Sequence, residues 1–407
     1  MEQQTQNKII LPRVIYGNRG DILSRWGLIN GLGTIGQNKI EVFAHLPGDL
    51  PDAVRDHYYP YGKYHNLLLS KNARQALHDS NRILWGGGLD ITDESSKAKL
   101  LYLAALFSYY RKCGKQIDCV FQGAGPIMTR TGEILTRQIL SKINRFIARD
   151  EYTYHLVKSM APEKKVYLAG DAIFMPGFEA QIADHSDPKA IAAYLPPSGK
   201  LLVAINIRRW FHFSSDLIPF QMAKKRYENR GQQQMDQLVD MYVDLVRKIR
   251  REYDARVLLV SAYNPGVFGW EDDMPWLRKI SAEFPHDNDV QLLDAELDMV
   301  DYLSLMSKAD LAVSMRLHSS LTVLRFGNPA ININYSPKGF HVFKTLGMGE
   351  HAIEIDTAMR DPEHIWQEVR VVLSNLSTEK QKVKKGVAML IEKNIDVLSS
   401  LFTGENG

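Results

Sequence analysis

Short β-rich runs alternate with helical patterns along the first part of this chain; the alternation then stops and starts again. The runs "RVIYG" (13–17), "IEVFAH" (40–45), "RILWGGG" (82–88), "IDCVFQGAG" (117–125), "FIARDE" (146–151) and "KVYLAGD" (165–171) are separated by segments of helical periodicity, among them 97–112 and 131–145. Strands alternating with helices at this pace build a parallel sheet covered on both faces. Residues 176–200 interrupt the pattern with four prolines, glycines and charges, the composition of a linker. The alternation resumes with "LLVAINI" (201–207), "ARVLLVSAY" (255–263), "VQLLD" (290–294), "DLAVSM" (310–315) and "AININY" (330–335), with helices expected over 231–252, 274–284, 299–308 and 319–326. The chain therefore divides into an N-terminal Rossmann-like domain (1–175), a linker (176–200), a C-terminal Rossmann-like domain (201–360) and amphipathic C-terminal helices (361–407) that pack across both. A length of 407 residues agrees, because one core seldom serves more than ~250 to 300. Two such domains place a ligand cleft between the carboxyl ends of their sheets.

Charge narrows what can enter that cleft. Fifty Lys and Arg against 47 Asp and Glu leave a net charge of +3, so no bulk field draws nucleic acid or an anionic surface, and any anion site is local. Two cysteines, Cys113 and Cys119, are too few for a disulfide framework and lack zinc spacing, which fits a cytoplasmic protein. The N-terminus lacks a signal-peptide pattern, and the longest apolar run, "LLYLAALFSYY" (100–110), is too short to span a bilayer. Peripheral association with the inner face of a membrane is compatible with this, and no feature sets an oligomeric state.

The glycines collect at strand ends. "GLGTIG" (31–36) matches a dinucleotide loop literally, but it follows a helix and precedes a strand, the reverse of the required order, so it reads as helix termination. "YGNRGDI" (16–22) has the right order: a strand ends and a helix begins near Asp21, with Asn18 and Arg19 as polar groups; the reading is an anion site or a tight turn capped by Asp21. "WGGGLD" (85–90) and "FQGAGPI" (121–127) repeat the arrangement at the next strands, marking Gly87, Gly88, Gly123 and Gly125 as ligand-loop candidates.

In the second half, Arg208 and Arg209, Ser261 and Asn264, Arg316 and His318, and Lys338 each follow a strand. In extended chain, residues two apart share a side, so Arg316 and His318 face one cleft, while Ser319 and Ser320 open a helix whose N–H groups extend the anion site. Arginine holds phosphate or carboxylate in a fixed fork, lysine adds a movable charge, and histidine transfers a proton near neutral pH. The chemistry indicated is a phosphate-bearing substrate with proton transfer. No metal-ligand spacing occurs; Asp90, Asp93 and Glu94 are the nearest to a loose site, and no metal is required.

Taken in order, "GNRGD", "GGG" near 86, "GAGP" (123–126), "ARDE" (148–151), "GDAIF" (170–174), "MRLHSS" and "NPAININYSPK" resemble the polysaccharide pyruvyl transferase family, of the colanic acid and amylovoran type, across about residues 14–356. The resemblance implies a GT-B-like fold, two Rossmann-like domains with parallel sheets facing a central cleft. It also implies transfer of a pyruvyl group from phosphoenolpyruvate to two hydroxyls of a sugar, as a cyclic ketal, with release of phosphate and no cofactor. His318, Arg316 and Lys338 are then the catalytic candidates, with Arg208 beside them. Asp21 and Asp171 are candidates for the base, and the acceptor is a simple or lipid-linked sugar. Segment 46–80, with Tyr58, Tyr59 and Tyr61, reads either as the place where that sugar stacks or as a surface loop. Two alternatives stand beside this reading: a GT-B glycosyltransferase using a nucleotide sugar, and a non-catalytic sugar- or anion-binding protein.

Overall fold

The computed structural model describes residues 9–13, 15, 17–35, 40–44, 58–60, 71–94, 96–210, 231–263, 272–335 and 337–403. The first sheet contains β1 (Ile9–Leu11), β2 (Ile40–Ala44), β3 (Tyr58–Pro60), β4 (Arg82–Ile91), β5 (Gln116–Ala124), β6 (Arg145–Ala148) and β7 (Lys165–Leu168). All are parallel, in the order β3-β2-β1-β4-β5-β6-β7. The second sheet contains β8 (Leu202–Asn206), β9 (Arg256–Leu259), β10 (Val290–Leu292), β11 (Leu311–Ser314), β12 (Ala330–Asn334) and β13 (Ala352–Glu354), parallel in the order β10-β9-β8-β11-β12-β13.

Both sheets reverse their winding once, between β1 and β4 and between β8 and β11. Those reversals open a crevice at the strands' carboxyl ends, where doubly wound sheets take their ligands. β8, β11 and β12 are buried along their whole length, as strands covered on both faces must be; β8 and β11 are apolar up to their last residue, Asn206 and Ser314, while β12 alternates isoleucine with the buried Asn332 and Asn334.

One expected strand is displaced. β1 is Ile9–Leu11 rather than 13–17, since Pro12 has no N–H to continue a ladder. Arg13 therefore lies beyond the strand end, on the crevice.

Three helices position the site: α1 (Arg19–Thr34), α2 (Leu317–Arg325) and α3 (Leu376–Thr403). α1 is capped by Asn18, not Asp21: the Asn18 Oδ1 accepts the N–H of Gly20 at 2.8 Å and that of Asp21 at 3.4 Å. Gly31 and Gly33 of "GLGTIG" fall in its last turns, where the helix ends. Arg25, buried on α1, donates to the carbonyls of Leu11 and Arg13 and closes the open end of β1.

The connecting segment carries two short helices, Phe178–His185 and Pro188–Ile191. One apolar core runs through the junction, from Trp26 and Phe178, whose ring centres are 5.0 Å apart, to Met299, Leu303 and Val323, and on to Leu390 and Leu398 of α3. α3 spans both domains. Near its start Lys380 pairs with Asp310 at 2.7 Å; further on, Asn394 binds Gly170, Asp171 and Phe174, and Leu401 O accepts from Arg82.

Candidate active site

A cleft of about 350 Å³ lies between the sheets' carboxyl ends, lined from the first domain by Arg13, Asn18, Gly20, Asp21, Gly88 and Arg149, and from the second by Arg208, Arg316, His318 and Ser319. Nine of the residues marked from sequence line it: Asn18, Arg19, Asp21, Gly88, Glu94, Arg208, Arg316, His318 and Ser319.

Arg316 is the N-terminal cap residue of α2, and the helix begins at Leu317, two residues earlier than expected. Arg316 and His318 thus reach the cleft from a helix entry rather than from extended chain. The Arg316 guanidinium, buried like its partner, donates to Asp273 from Nη2 at 2.8 Å and from Nε at 3.2 Å. Asn206 at the end of β8 orders the same corner. Its Oδ1 accepts the Arg316 N–H at 3.0 Å while its amide donates to Asp273 at 3.2 Å. Arg208 lies flat over Tyr335, 4.5 Å from the ring centre, and Tyr335 packs on Trp210.

His318, 19% exposed, crosses to the first domain. Its Nε2 is 3.1 Å from Ser24 Oγ and 3.4 Å from Asp171 Oδ2. Asp171 is fully buried. It also accepts from Ser24 Oγ at 2.9 Å, Arg149 Nη1 at 3.0 Å and the Ile173 amide at 3.1 Å. Burial disfavours its charged form, yet His318, Arg149 and that amide outweigh burial and hold the carboxyl well below the usual carboxylate range. Asp171 accordingly stands behind His318 and not on the cleft wall.

On the first-domain side, Arg13 donates to Asp90 at 2.6 Å, to the Gly87 carbonyl at 2.8 Å and to Asp21 at 3.2 Å. Lys99 approaches the other oxygen of Asp90 at 2.8 Å. Burial opposes ionisation of Asp90, but Arg13 and Lys99 prevail and depress its pKa far below the ordinary range. Asp90 is thus fully engaged by cations. Asp93 is engaged too, accepting the N–H groups of Met128 and Thr129 and the Thr129 hydroxyl. Among the described residues no three His, Cys, Asp or Glu side chains gather as metal ligands.

Several marked residues stand elsewhere. Ser320 is fully buried against the sheet, where its hydroxyl accepts from Asn332 Nδ2 at 3.1 Å. Gly87, at φ +74°, lies under α1, and a side chain there would press on Ser24. Gly123 and Gly125 make room for Arg149 and for Tyr152 with Leu156, respectively. A side chain on Gly88 would overlap the Arg13 guanidinium. What approaches these glycines closely is the protein itself: α1 at Gly87, Arg13 at Gly88, Arg149 at Gly123, and Tyr152 with Leu156 at Gly125. Lys338 sits in the first turn of the helix Pro337–Thr345, after β12 rather than on the strand end itself; its side chain, Asn264, Tyr61 and the side chains of Tyr58 and Tyr59 lie outside the described residues.

Sequence reasoning did not single out Arg13, Ser24, Arg149 or Asp273. Arg13 had been absorbed into a strand, and Arg149 was quoted only as part of "ARDE"; Ser24 and Asp273 become visible only through partners distant in sequence.

Two doubly wound domains about a shared polar cleft define a GT-B-type α/β fold. Solved structures of that shape agree: MnaA of S. aureus with UDP (TM-score 0.61, 12% identity, 97% of this chain and 96% of that one), and the UDP-GlcNAc 2-epimerase of Neisseria meningitidis with UDP-GlcNAc (TM-score 0.57, 10% identity, 98% and 100%). Identities this low carry the fold alone. The sequence profile of the polysaccharide pyruvyl transferase family matches residues 18–337, and the chain belongs to that family. Amylovoran biosynthesis protein AmsJ of Erwinia amylovora is 22% identical over 275 residues, 67% of this chain; the chain spans 61% of the length of that relative.

Proposed function

We propose that the protein transfers the pyruvyl group of phosphoenolpyruvate to two hydroxyls of one sugar in an exopolysaccharide precursor, closing a cyclic ketal and releasing phosphate. The observation that carries this reading is the gathering of Arg13, Arg149, Arg208 and Arg316 around His318 in one cleft, in a chain whose net charge is only +3. Phosphoenolpyruvate brings both a phosphate and a carboxylate, and such a pair calls for several cations in a small volume. Family membership supports pyruvyl transfer.

In the proposed reaction Arg316, Arg208 and Lys338 hold the two anionic groups, and His318 as imidazolium protonates the methylene carbon. The neighbouring carbon becomes electron-poor and takes a sugar oxygen. Phosphate leaves, and the second hydroxyl closes the ketal. Of the two hydroxyl protons, one replaces the proton given to the methyl group and the other departs with phosphate. Asp21, 28% exposed on the cleft and next to Arg13, is the carboxylate placed to meet an acceptor hydroxyl; Asp171 is too deeply buried for that task.

The proposed setting is the cytoplasm, at the inner face of the membrane when the acceptor is lipid-linked. The two cysteines are unpaired, and no described helix is long and apolar enough to cross a membrane. The test is incubation with phosphoenolpyruvate and candidate glycosides, following phosphate release and the mass of the sugar. Ketal formation supports the reading; consumption of a nucleotide sugar with phosphoenolpyruvate ignored overturns it.

A further inference from the structure

His318 meets both of its partners with the same nitrogen, Nε2. Nδ1 has no hydrogen-bond partner among the described residues. The direction of the Ser24 hydroxyl follows from chemistry. Asp171, buried against Arg149 and the Ile173 amide, is a carboxylate, and a carboxylate only accepts. Ser24 therefore gives its one proton to Asp171 Oδ1, at 2.9 Å. What it turns toward Nε2 is a lone pair, and only a protonated Nε2 completes that 3.1 Å contact. Asp171 Oδ2, at 3.4 Å, attracts the same proton. Nε2 is thus a donor in both charge states of the ring.

We propose that Nδ1, not Nε2, is the nitrogen through which His318 exchanges its proton with substrate, and that Ser24 and Asp171 are positioning residues that keep Nε2 protonated. The destination of the proton rests on the pyruvyl-transfer reading; the tautomer does not. Gly20 agrees with the assignment. A side chain there would overlap His318 Cβ, Cγ and Nδ1, so its absence is what lets the ring sit where it does in the cleft that both residues line. The charged groups facing the ring are Asp171 with Arg149 behind it, while α1 presents Gly20 and Ser24. In the reaction, the imidazolium gives its Nδ1 proton to the methylene carbon, which bonds it with the electron pair of the carbon–carbon double bond. The neutral ring left behind is the Nε2–H tautomer, and Nδ1 regains a proton from the attacking hydroxyl.

The experiment is long-range 1H–15N spectroscopy of the full chain labelled in histidine, with His318 assigned by the signals lost in His318→Gln. The expected result is a neutral ring protonated on Nε2. Ser24→Ala should shift the population toward a tautomer mixture and lower kcat for phosphoenolpyruvate about tenfold, as for one lost hydrogen bond, with KM little changed. Ser24→Thr should keep both properties. A neutral ring protonated on Nδ1, or a tautomer unmoved by Ser24→Ala, overturns the proposal. A wild-type ring that reads Nε2–H without any turnover of phosphoenolpyruvate removes the methylene carbon as destination and leaves Nδ1 as the exchanging nitrogen.

Discussion

Arg316 gives two guanidinium nitrogens to Asp273, Nη2 at 2.8 Å and Nε at 3.2 Å, so one face of its fork is spent on holding the arginine still. The tether fixes the direction in which the guanidinium plane points. Asp273→Asn should raise KM for phosphoenolpyruvate about tenfold with a smaller fall in kcat, because the tether loses its charge while the side chain keeps its shape. Arg316→Lys should do at least as much damage, since a point charge cannot serve Asp273 and a substrate oxygen together. Steady-state kinetics with varied phosphoenolpyruvate checks both.

Replacing the proposed proton carrier is the second prediction. His318→Gln should lower kcat by roughly 10²- to 10⁴-fold, the usual worth of a positioned acid or base. Binding of phosphoenolpyruvate, followed by calorimetry, should change far less, because the cations are untouched.

Gly20→Ala should be disproportionately harmful for one methyl group. The new carbon would occupy the space of the His318 ring, and a displacement of about 1 Å near the chemistry costs about 10²-fold in rate. The expected outcome is a folded protein, by its circular dichroism melt, with turnover near that of His318→Gln.

Asn394→Ala should reach the cleft from behind. Its side chain binds the Gly170 N–H at 2.7 Å and the carbonyls of Asp171 and Phe174 at 2.9 and 3.0 Å, all buried. Unpairing these groups should cost about 2–4 kcal/mol of stability. Activity should fall further than the melting temperature suggests, since the turn that carries Asp171 is released.

A pH effect on stability follows from His351, buried between Glu368 (2.6 Å from Nδ1) and Glu379 (3.1 Å from Nε2). Burial lowers the imidazole's pKa, but the two carboxylates outweigh it and raise the value above 6.5. A raised pKa stabilises fully below the unfolded value and is lost as pH rises through the folded one. Glu379 shifts the other way: burial raises it, but Lys382 and His351 lower it further, so its contribution is lost on acidification below about 4.5. Melting temperature should therefore fall from pH 6 toward pH 8, and His351→Gln should flatten that slope at a cost of roughly 1–3 kcal/mol at pH 6.

The strand ends of the second domain are legible from sequence, because strands covered on both faces leave predominantly apolar runs: 201–207 is expected where Leu202–Asn206 is found, and 310–315 where Leu311–Ser314 is found. That placed Arg208, Arg316 and His318 on one edge. The start of α2 was misjudged because "RLHSS" has no side-chain cap to announce it. The glycine loops lie at the expected strand ends, but what fills the space beside them is α1, Arg13, Arg149 and, at Gly125, Tyr152 with Leu156. The pairs that tune the site lie far apart in the chain. Asp273 is 43 residues from Arg316, and Ser24 is 147 from Asp171. A single sequence carries periodicity and local spacing; it carries no signal for which distant charge will meet which.

α3 gives the molecule a mechanical property. A 28-residue helix is roughly 42 Å long at 1.5 Å per residue, and its two ends are fastened to different domains, at Asp310 and at the Asp171 turn. Whatever pulls on the last residues reaches the Arg82–Leu401 bond first and Asn394 next. A fusion partner or shortened tail at this terminus is thus a lever on the spacing of the cleft walls. Protein made for kinetic work should carry its tag at the other end.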